Sequence, residues 1–413
     1  MDTLSMLTNL TVILFIGLLM GLISKKLKIP AMLLLMISGA VIKNITLNGS
    51  PVFVFSDEFL ISVSILALVM IVFEGSSNFT LHDLDTYTTY ALKTVVMFFV
   101  FNMLFLSIAT YYLFGVSSMI LSLLFAAVMA GTDPGSVLSL FQTKSNKITE
   151  LLKFESIVNT PVMVLIPFIL LDLMELDANV MSNFLEYLTP FMQQIITGIG
   201  TGVFLGIIVF RFMKKFYSDK LSPLMLLTTS LLTYIMAESI GGNGVLAVTV
   251  FGVFFGNTRV KKKIELKGFS NSISNILEIV VFVLIGFVLP IHLPISFILK
   301  SILLFGLMII LRFIAIELVY YNDHLNLKER IFISLNCAKG IAVAVIAFIL
   351  SNYVLNLPIL VDGVKLINSI PLIQYPGAKT IIDLMILFML YSIILSSIMA
   401  RFSQKFIRLK VEQ

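Results

Sequence analysis

Long apolar runs separated by short polar breaks recur thirteen times along the chain and limit its fold more than any other feature. The runs cover residues 5–24, 29–46, 58–75, 89–114, 117–142, 148–172, 187–213, 221–240, 243–257, 271–290, 294–320, 330–352 and 379–403. A helix of about 20 apolar residues crosses the hydrocarbon core of a bilayer. Charged residues make up only 12% of the chain, about half of their share in soluble domains. The sequence therefore predicts an all-α polytopic membrane protein with 13 transmembrane helices, and excludes soluble enzymes, disordered chains and nucleic-acid binders.

The placement of the basic residues predicts the orientation of the chain in the membrane. Most of the 28 Lys and Arg residues lie in the connections after runs 1, 5, 7, 9 and 11 and in the C-terminal tail. Because cytoplasmic connections carry an excess of Lys and Arg, the N-terminus is predicted outside and the C-terminus inside. The formal net charge of +5 thus reports topology beside anionic lipid, and it does not indicate a nucleic-acid partner.

Run 5 contains a segment that a transmembrane helix tolerates poorly. It reads Gly131-Thr132-Asp133-Pro134-Gly135. Proline lacks a backbone N–H and disfavours a helical residue before it, and glycine weakens helices. An unwound segment at this depth must be buried or line a water-filled cavity. The freed carbonyls and the Asp133 carboxylate are therefore predicted to face a cation, with a simple packing kink as the alternative.

Run 6 carries a polar stripe near the membrane midplane. Glu155, Ser156, Asn159 and Thr160 are spaced so that they share one face of a helix. A rise of about 1.5 Å per residue places Asn159 about 16 Å from the cytoplasmic start of the run. Ionisable residues at such depth are functional candidates by default. The alternative is that Ser156 and Asn159 only join neighbouring helices by hydrogen bonds.

Run 12 contains a second weak point at residues 336–340, which include Lys339 and Gly340. Lys339 is predicted near the membrane midplane, where a lone ammonium loses its proton or pairs with a carboxylate. Glu155 is the predicted partner of Lys339, in a structural ion pair.

The two weak points are arranged symmetrically along the chain. Runs 1–6 and 8–13 form two six-helix units, and run 7 makes the second unit cross the membrane in the opposite sense. The interrupted helix is then the fifth of each unit. Paired broken helices in an inverted repeat are typical of the midplane site of a secondary transporter. The sequence thus predicts two inverted six-helix repeats with broken helices in spans 5 and 12.

Other charged residues in the runs are weaker candidates. Glu74, at the cytoplasmic end of run 3, is interpreted as lining an access funnel or as a solvated helix end. Arg312 in run 11 is expected to pair with Glu317 or with another buried acid. Glu278 and Glu238 are interpreted as structural or interfacial.

The sequence lacks the motifs of intramembrane enzymes. His82, His292 and His324 all lie near predicted loops and form no His-x-x-x-His metal pair. Neither a Gly-x-Ser-x-Gly nor a Gly-x-Gly-Asp motif occurs. Cys337 is the single cysteine, so a disulfide within the chain is excluded. The chain is therefore predicted not to be an enzyme and to use no cofactor.

In their order and spacing, these landmarks resemble those of the monovalent cation:proton antiporters, in the archaeal and bacterial sodium/proton branch related to eukaryotic sodium/proton exchangers. The most specific pair is Thr132-Asp133-Pro134, followed 21 residues later by Glu155-Ser156. Further landmarks are Lys25-Lys26-Leu27-Lys28-Ile29-Pro30, Phe73-Glu74-Gly75, Leu277-Glu278, the stretch 282–286, Arg312 and Lys339-Gly340.

The resemblance implies a single membrane transporter domain over 1–413, in the plasma membrane, with two crossing, broken helices. Residues 89–175 and 294–405 would form the ion-translocating core. Residues 1–88 and 187–290 would form a scaffold through which the chain makes a homodimer. The core would move against the scaffold and carry the ion site across the lipid bilayer.

The resemblance also assigns roles to residues by position. The Thr132 carbonyl, Asp133 and Ser156 would contact the transported cation or its water. Glu155 would pair with the basic residue of the family, here Lys339. Na⁺ or Li⁺ suits such oxygen ligands, and K⁺ is an alternative.

One departure concerns the carboxylate of the family site. Close relatives have Asn-Asp where this chain reads Asn159-Thr160, and that Asp usually binds the ion and exchanges the proton. Thr160 offers a neutral oxygen but cannot titrate. The predicted function is exchange of a monovalent cation, Na⁺ first, for H⁺ through Asp133. The alternatives are a cation channel or uniporter and a transport-deficient relative.

Overall fold

Helices make up most of the part of the chain that the structure describes. A computed structural model describes residues 3–27, 29–47, 50–51, 53, 55, 57–79, 86–133, 147–174, 184–289, 293–321, 325–361 and 364–406. The first helices are α1 (Thr3–Leu27), α2 (Ala31–Lys43), α3 (Asp57–Ser77), α4 (Thr86–Phe101), α5 (Ser107–Phe114), α6 (Met119–Met129), α7 (Lys147–Met174) and α8 (Phe184–Lys215). The others are α9 (Leu221–Ser239), α10 (Gly244–Asn257), α11 (Lys263–Val288), α12 (Ile295–Val319), α13 (Leu327–Leu335), α14 (Ile341–Asn352), α15 (Ala378–Arg401) and α16 (Ser403–Phe406).

The predicted apolar runs overlap these helices. Among the described residues, eight helices are long and apolar enough to cross a membrane, and four shorter apolar helices accompany them. A π-helical turn, Asn102–Leu106, joins α4 to α5, so that run 4 is one continuous helix. The count of thirteen spans, the inverted repeat and the orientation stay predictions.

Glycines allow two pairs of helices to pack with their backbones in contact. A Cβ added to Gly39 of α2 would lie 2.0 Å from the Val283 carbonyl oxygen of α11, and one added to Gly286 would lie 2.3 Å from the Met36 oxygen. A Cβ on Gly252 of α10 would lie 2.1 Å from a side-chain oxygen of α3. Small residues at helix contacts serve this role in membranes, where close van der Waals packing joins the helices.

The second predicted helix interruption lies entirely within the described residues, and the first lies there in part. Helix α6 ends at Met129, and residues 131–133 continue without helical structure. Residues 134–146, with Pro134 and Gly135, lie outside the described residues. The second interruption is complete, because residues 336–340 form a non-helical link between α13 and α14. The predicted weak points therefore coincide with the end of α6 and with the separation of α13 from α14.

The connection between runs 12 and 13 departs from the all-α prediction. Strands β3 (Val354–Val361) and β4 (Val364–Pro371) form an antiparallel hairpin, paired from Val354 with Pro371 to Val361 with Val364. A second, two-residue pairing joins β1 (Thr46–Leu47) and β2 (Ser50–Pro51). The sequence did carry a signal for the longer hairpin, since Asp-Gly at 362–363 is a preferred turn dipeptide between β-branched residues. The length of the apolar runs, on which the all-α prediction rests, does not reveal this hairpin.

Candidate functional site

The two interrupted helices meet at a backbone contact. The amide of Asp133 donates a hydrogen bond of 2.7 Å to the carbonyl of Ala338. A Cβ added to Gly340 would lie 2.4 Å from the Cβ of Asp133, so only glycine allows the two segments to approach this closely. The amide of Lys339 donates to the Ser392 hydroxyl at 3.0 Å, which fixes the crossing against α15.

A buried ion pair lies beside the crossing, between Glu155 of α7 and Arg312 of α12. The Arg312 Nη1 and Nη2 atoms lie 2.7 and 3.0 Å from the two Glu155 carboxylate oxygens. Both side chains are at most 1% exposed. The Thr132 hydroxyl also donates to Glu155 Oε1 at 2.8 Å. The charge of the buried Glu155 carboxylate is therefore met by Arg312, and Thr132 donates to it as well.

This pairing corrects the sequence-based assignment of the ion partners. Glu155 pairs with Arg312, and the predicted Glu155–Lys339 pair is wrong. The Arg312 guanidinium lies within ion-pair distance of both carboxylate oxygens and donates a hydrogen bond from Nη2 to Oε2, whereas the Lys339 ammonium is held by backbone carbonyls. The sequence analysis named Glu317 or another buried acid as the partner of Arg312. Glu317 pairs with Arg330 at 2.6 Å, and the acid that pairs with Arg312 is Glu155.

Lys339 takes backbone partners instead of a carboxylate. Its buried ammonium donates to the carbonyls of Met129 and Gly131, the second at 2.7 Å. These carbonyls lie at the C-terminal end of α6, where a helix has unpaired acceptors and a partial negative charge. The Phe98 ring lies against both cations, 5.1 Å from Arg312 Cζ and 5.8 Å from Lys339 Nζ.

The crossing brings four of the predicted site residues together. The Ser156 hydroxyl donates to Asp133 Oδ1 at 3.1 Å. The Asn159 amide donates to the Ala130 carbonyl at 3.0 Å and approaches the Thr132 hydroxyl at 3.3 Å. Thr160 belongs to α7, but its side chain lies outside the described residues.

The Asp133 carboxylate lies where a negative charge is favoured, and it remains partly accessible. It is partly exposed, and its Oδ2 lies 2.6 Å from the position of a Cβ on Gly340, the residue that precedes α14. The N-terminus of a helix carries a partial positive charge that stabilises carboxylates. Asp133 is therefore a partly exposed carboxylate at the crossing of the two interrupted helices.

Two further carboxylates lie on helices that pack against each other. Glu74 of α3 and Glu278 of α11 are both partly exposed. Glu74 accepts a hydrogen bond of 3.1 Å from Asn271 when the amide nitrogen of Asn271 faces the acid. The access funnel at Glu74 stays a prediction.

The polar stripe of α11 that faces Glu74 was missed in the sequence. Asn271, Ser274 and Glu278 are spaced by three and four residues and so share one face of α11. That stripe was the available signal. Its meaning depends on which helix faces it, and the pattern within a single helix does not give that information.

Apolar spans that surround two crossing interrupted helices, with a carboxylate at the crossing, define a multi-pass membrane protein of ion-transporter architecture. The sequence profile described as "sodium/hydrogen exchanger, transmembrane" matches residues 11–402. The chain belongs to this family of plasma-membrane transporters, and so is not an enzyme.

Curated relatives and solved structures support the same placement. The probable Na(+)/H(+) antiporter 2 of Methanocaldococcus jannaschii is 25% identical over 369 residues, which are 83% of each chain. The K(+)/H(+) antiporter NhaP of Alkalimonas amylolytica is 25% identical over 81% of this chain and 58% of its own length. The structure of the sodium proton antiporter MjNhaP1 from Methanocaldococcus jannaschii at pH 8 has the same fold. Its TM-score is 0.75 at 19% identity, with 97% of this chain and 98% of that chain covered.

Proposed function

We propose that this protein exchanges a monovalent cation for H⁺ by alternating access, with Na⁺ as the first candidate and Li⁺ and K⁺ as alternatives. Family membership and the relatives described as Na(+)/H(+) and K(+)/H(+) antiporters support cation:proton exchange. The chain works as a multi-pass protein of the plasma membrane and as a homodimer.

The observation that carries the proposal is the position of Asp133. It is a partly exposed carboxylate on an unwound segment, hydrogen-bonded by Ser156 and tied to the second unwound segment. Discontinuous helices of this kind bind the ions of secondary transporters through half-helix ends and freed carbonyls. A proton and a cation compete for Asp133, and only the neutralised site crosses between the two faces of the membrane.

The neighbouring residues complete the coordination of the cation. The Asp133 carboxylate, the Ser156 hydroxyl and the Thr132 carbonyl supply oxygen ligands to Na⁺. Asn159 holds the end of α6 in place through the Ala130 carbonyl, and Thr160 contributes at most a neutral oxygen. Residues 89–175 and 294–405 carry the site as a core that moves against the scaffold of residues 1–88 and 187–290.

Replacement of Asp133 by Asn tests the proposal. The change keeps the size of the side chain and removes its charge, so cation-driven proton movement should fall to the level of empty liposomes. Proton flux is measured in sealed proteoliposomes under outward gradients of Na⁺, Li⁺ and K⁺. D383N, the same change at a buried acid of α15, is the matched control and should retain flux.

Two results would contradict this assignment. Unchanged flux in D133N would show that another group couples the proton. Cation current without proton movement in the wild-type protein would identify a channel or uniporter.

A further inference from the structure

The buried ion pair leaves one donor of the Arg312 guanidinium without an acceptor. Nη1 and Nη2 face the Glu155 carboxylate, and Nη2 also lies 3.4 and 3.5 Å from the carbonyl oxygens of Ile333 and Asn336. Among the described residues, no oxygen accepts a hydrogen bond from the Arg312 Nε–H, although the side chain is 0% exposed. A buried N–H without an acceptor is costly, and most such groups in proteins are paired with another group or with ordered water.

Asn336, which contacts Arg312 from the second interruption, has the complementary shortage. It follows the last residue of α13, and its side-chain nitrogen donates to the Phe332 carbonyl at 2.7 Å. That bond fixes which end of the amide is the oxygen. In the part of the chain that the structure describes, nothing donates to this Oδ1 atom, and Asn336 is fully buried. A donor and an acceptor without partners therefore belong to two residues that already touch.

The two atoms limit the chemistry of a ligand that could satisfy both. Nε–H requires an acceptor and Oδ1 requires a donor, so the ligand must be able to do both. A metal cation cannot accept from Nε–H, and the guanidinium repels it. An anion such as chloride cannot donate to Oδ1, and the Glu155 carboxylate repels it. Water has both functions, carries no charge, and is the usual partner of buried polar atoms that lack a protein partner.

We propose that Arg312 and Asn336 hold a buried water molecule, which accepts a hydrogen bond from Nε and donates one to Oδ1. The water connects the ion pair of α7 and α12 to the second interruption. The carbonyl of Ala338 in that same segment receives the amide of Asp133. Asn336 is thus a positioning residue, which ties the link between α13 and α14 to the guanidinium. The assignment does not depend on the proposed exchange function.

X-ray hydroxyl-radical footprinting of the protein in detergent micelles tests this hydration. Radiolysis of a bound water releases the radical inside the protein, so a buried ring beside the water is oxidised while a ring in a dry core is not. Phe98 is the probe, because its ring centroid lies 5.1 Å from Arg312 Cζ, the atom bonded to Nε. Phe251 and Phe282 are controls of the same residue type, at 0% exposure against 1% for Phe98. Phe98 should be oxidised several times faster than either control.

Replacement of Asn336 by Leu should remove the signal. The change keeps the size of the side chain and removes Oδ1, so the oxidation rate of Phe98 should fall to that of Phe251. Asn352→Leu is the matched control, because Asn352 follows a buried helix in the same way and donates to the Phe348 carbonyl four residues back, at 3.0 Å. N352L should leave the rate at Phe98 unchanged. A low rate at Phe251 in each variant shows that the core stays closed.

Three results would overturn the proposal. Oxidation of Phe98 as slow as that of Phe251 in the wild type would show that the contact is dry. Fast oxidation of Phe98 that persists in N336L would place the water elsewhere, as at Asn102, a buried amide four residues beyond Phe98 that also lacks a partner among the described residues. Equal loss of signal in N336L and N352L would assign the effect to the lost bond at a helix end. If N336L opens the core, seen as a faster rate at Phe251, the wild-type comparison alone decides.

Discussion

A guanidinium and an ammonium lie against the same aromatic ring, Phe98, and yet they have different partners. The Arg312 fork takes both oxygens of Glu155, whereas the Lys339 point charge takes the carbonyls at the end of α6. Each cation therefore neutralises a different negative group: a carboxylate in one case and a helix end in the other. The two are not interchangeable at this site.

Replacement of Arg312 by Met should strongly destabilise the protein, because it leaves the Glu155 carboxylate buried without its counter-charge. Breaking a buried pair from one side costs about 3–5 kcal/mol. The single cysteine, Cys337, is buried, so a thiol-reactive dye reports unfolding on heating. The double variant E155M/R312M is the control and should recover most of the midpoint. Equal midpoints for R312M and the wild type would contradict a stabilising pair.

At the residue scale, the sequence predicted the members of the site better than their partners. Asp133, Thr132, Ser156 and Asn159 were found because polar residues in an apolar run are expensive and therefore informative. The partner of Glu155 depends on which basic side chain reaches it from another helix. Helix-helix geometry decides that, and the spacing within one run contains no information about it.

At the element scale, the half-helices and the glycine contacts set the backbone geometry. Run length and glycine or proline breaks were sufficient to predict where α6 ends and where α13 and α14 separate. The hairpin of β3 and β4 was not predicted, since its residues follow an apolar run and hydropathy does not distinguish a strand from a loop. The contact of α2 with α11 was also beyond the sequence, because it depends on which glycines of two distant runs face each other.

Gly286→Ala should destabilise the contact of α2 with α11 by about 1–3 kcal/mol, the usual cost of overpacking. A Cβ there meets the Met36 carbonyl oxygen at 2.3 Å, which is backbone and cannot rotate away. Gly268→Ala is the matched control on the same helix, because a Cβ at Gly268 meets nothing within 4 Å. That control should be neutral or stabilising by about 0.5–1 kcal/mol. The dye-detected unfolding midpoint measures both, and a similar loss in the two variants would refute the contact.

At the scale of the whole molecule, the asymmetry of the basic residues predicts the orientation. The connection between α10 and α11 is one of the most basic parts of the chain, with Arg259, Lys261, Lys262 and Lys263. Lys262 bridges to Asp219 of the neighbouring connection at 3.0 Å. Both side chains of this ion pair are exposed, so the contact joins two connections at the surface. These connections are predicted to lie together on the cytoplasmic side.

Cysteine labelling tests that orientation. Lys261 and Gln374 are exposed and lie in connections predicted on opposite sides, whereas the native Cys337 is buried. In intact cells, a membrane-impermeant maleimide should label Q374C and not K261C. Both variants should react after the membrane is opened. Labelling of K261C alone in intact cells would reverse the predicted orientation, whereas labelling of both variants would require an even number of spans between the two positions.

The hydrogen bond from the Asp133 amide to Ala338 has a consequence for the energetics of the proposed cycle. Because it joins the two unwound segments through backbone atoms, the ligands of the cation travel together and do not have to be rebuilt on the second face. A site with unchanged ligands has the same intrinsic affinity toward either compartment. The direction of net flow is set by the two ion gradients, as in any exchanger that uses no other source of energy. Equal affinity on the two faces adds that the exchanger half-saturates at similar cation concentrations in either direction.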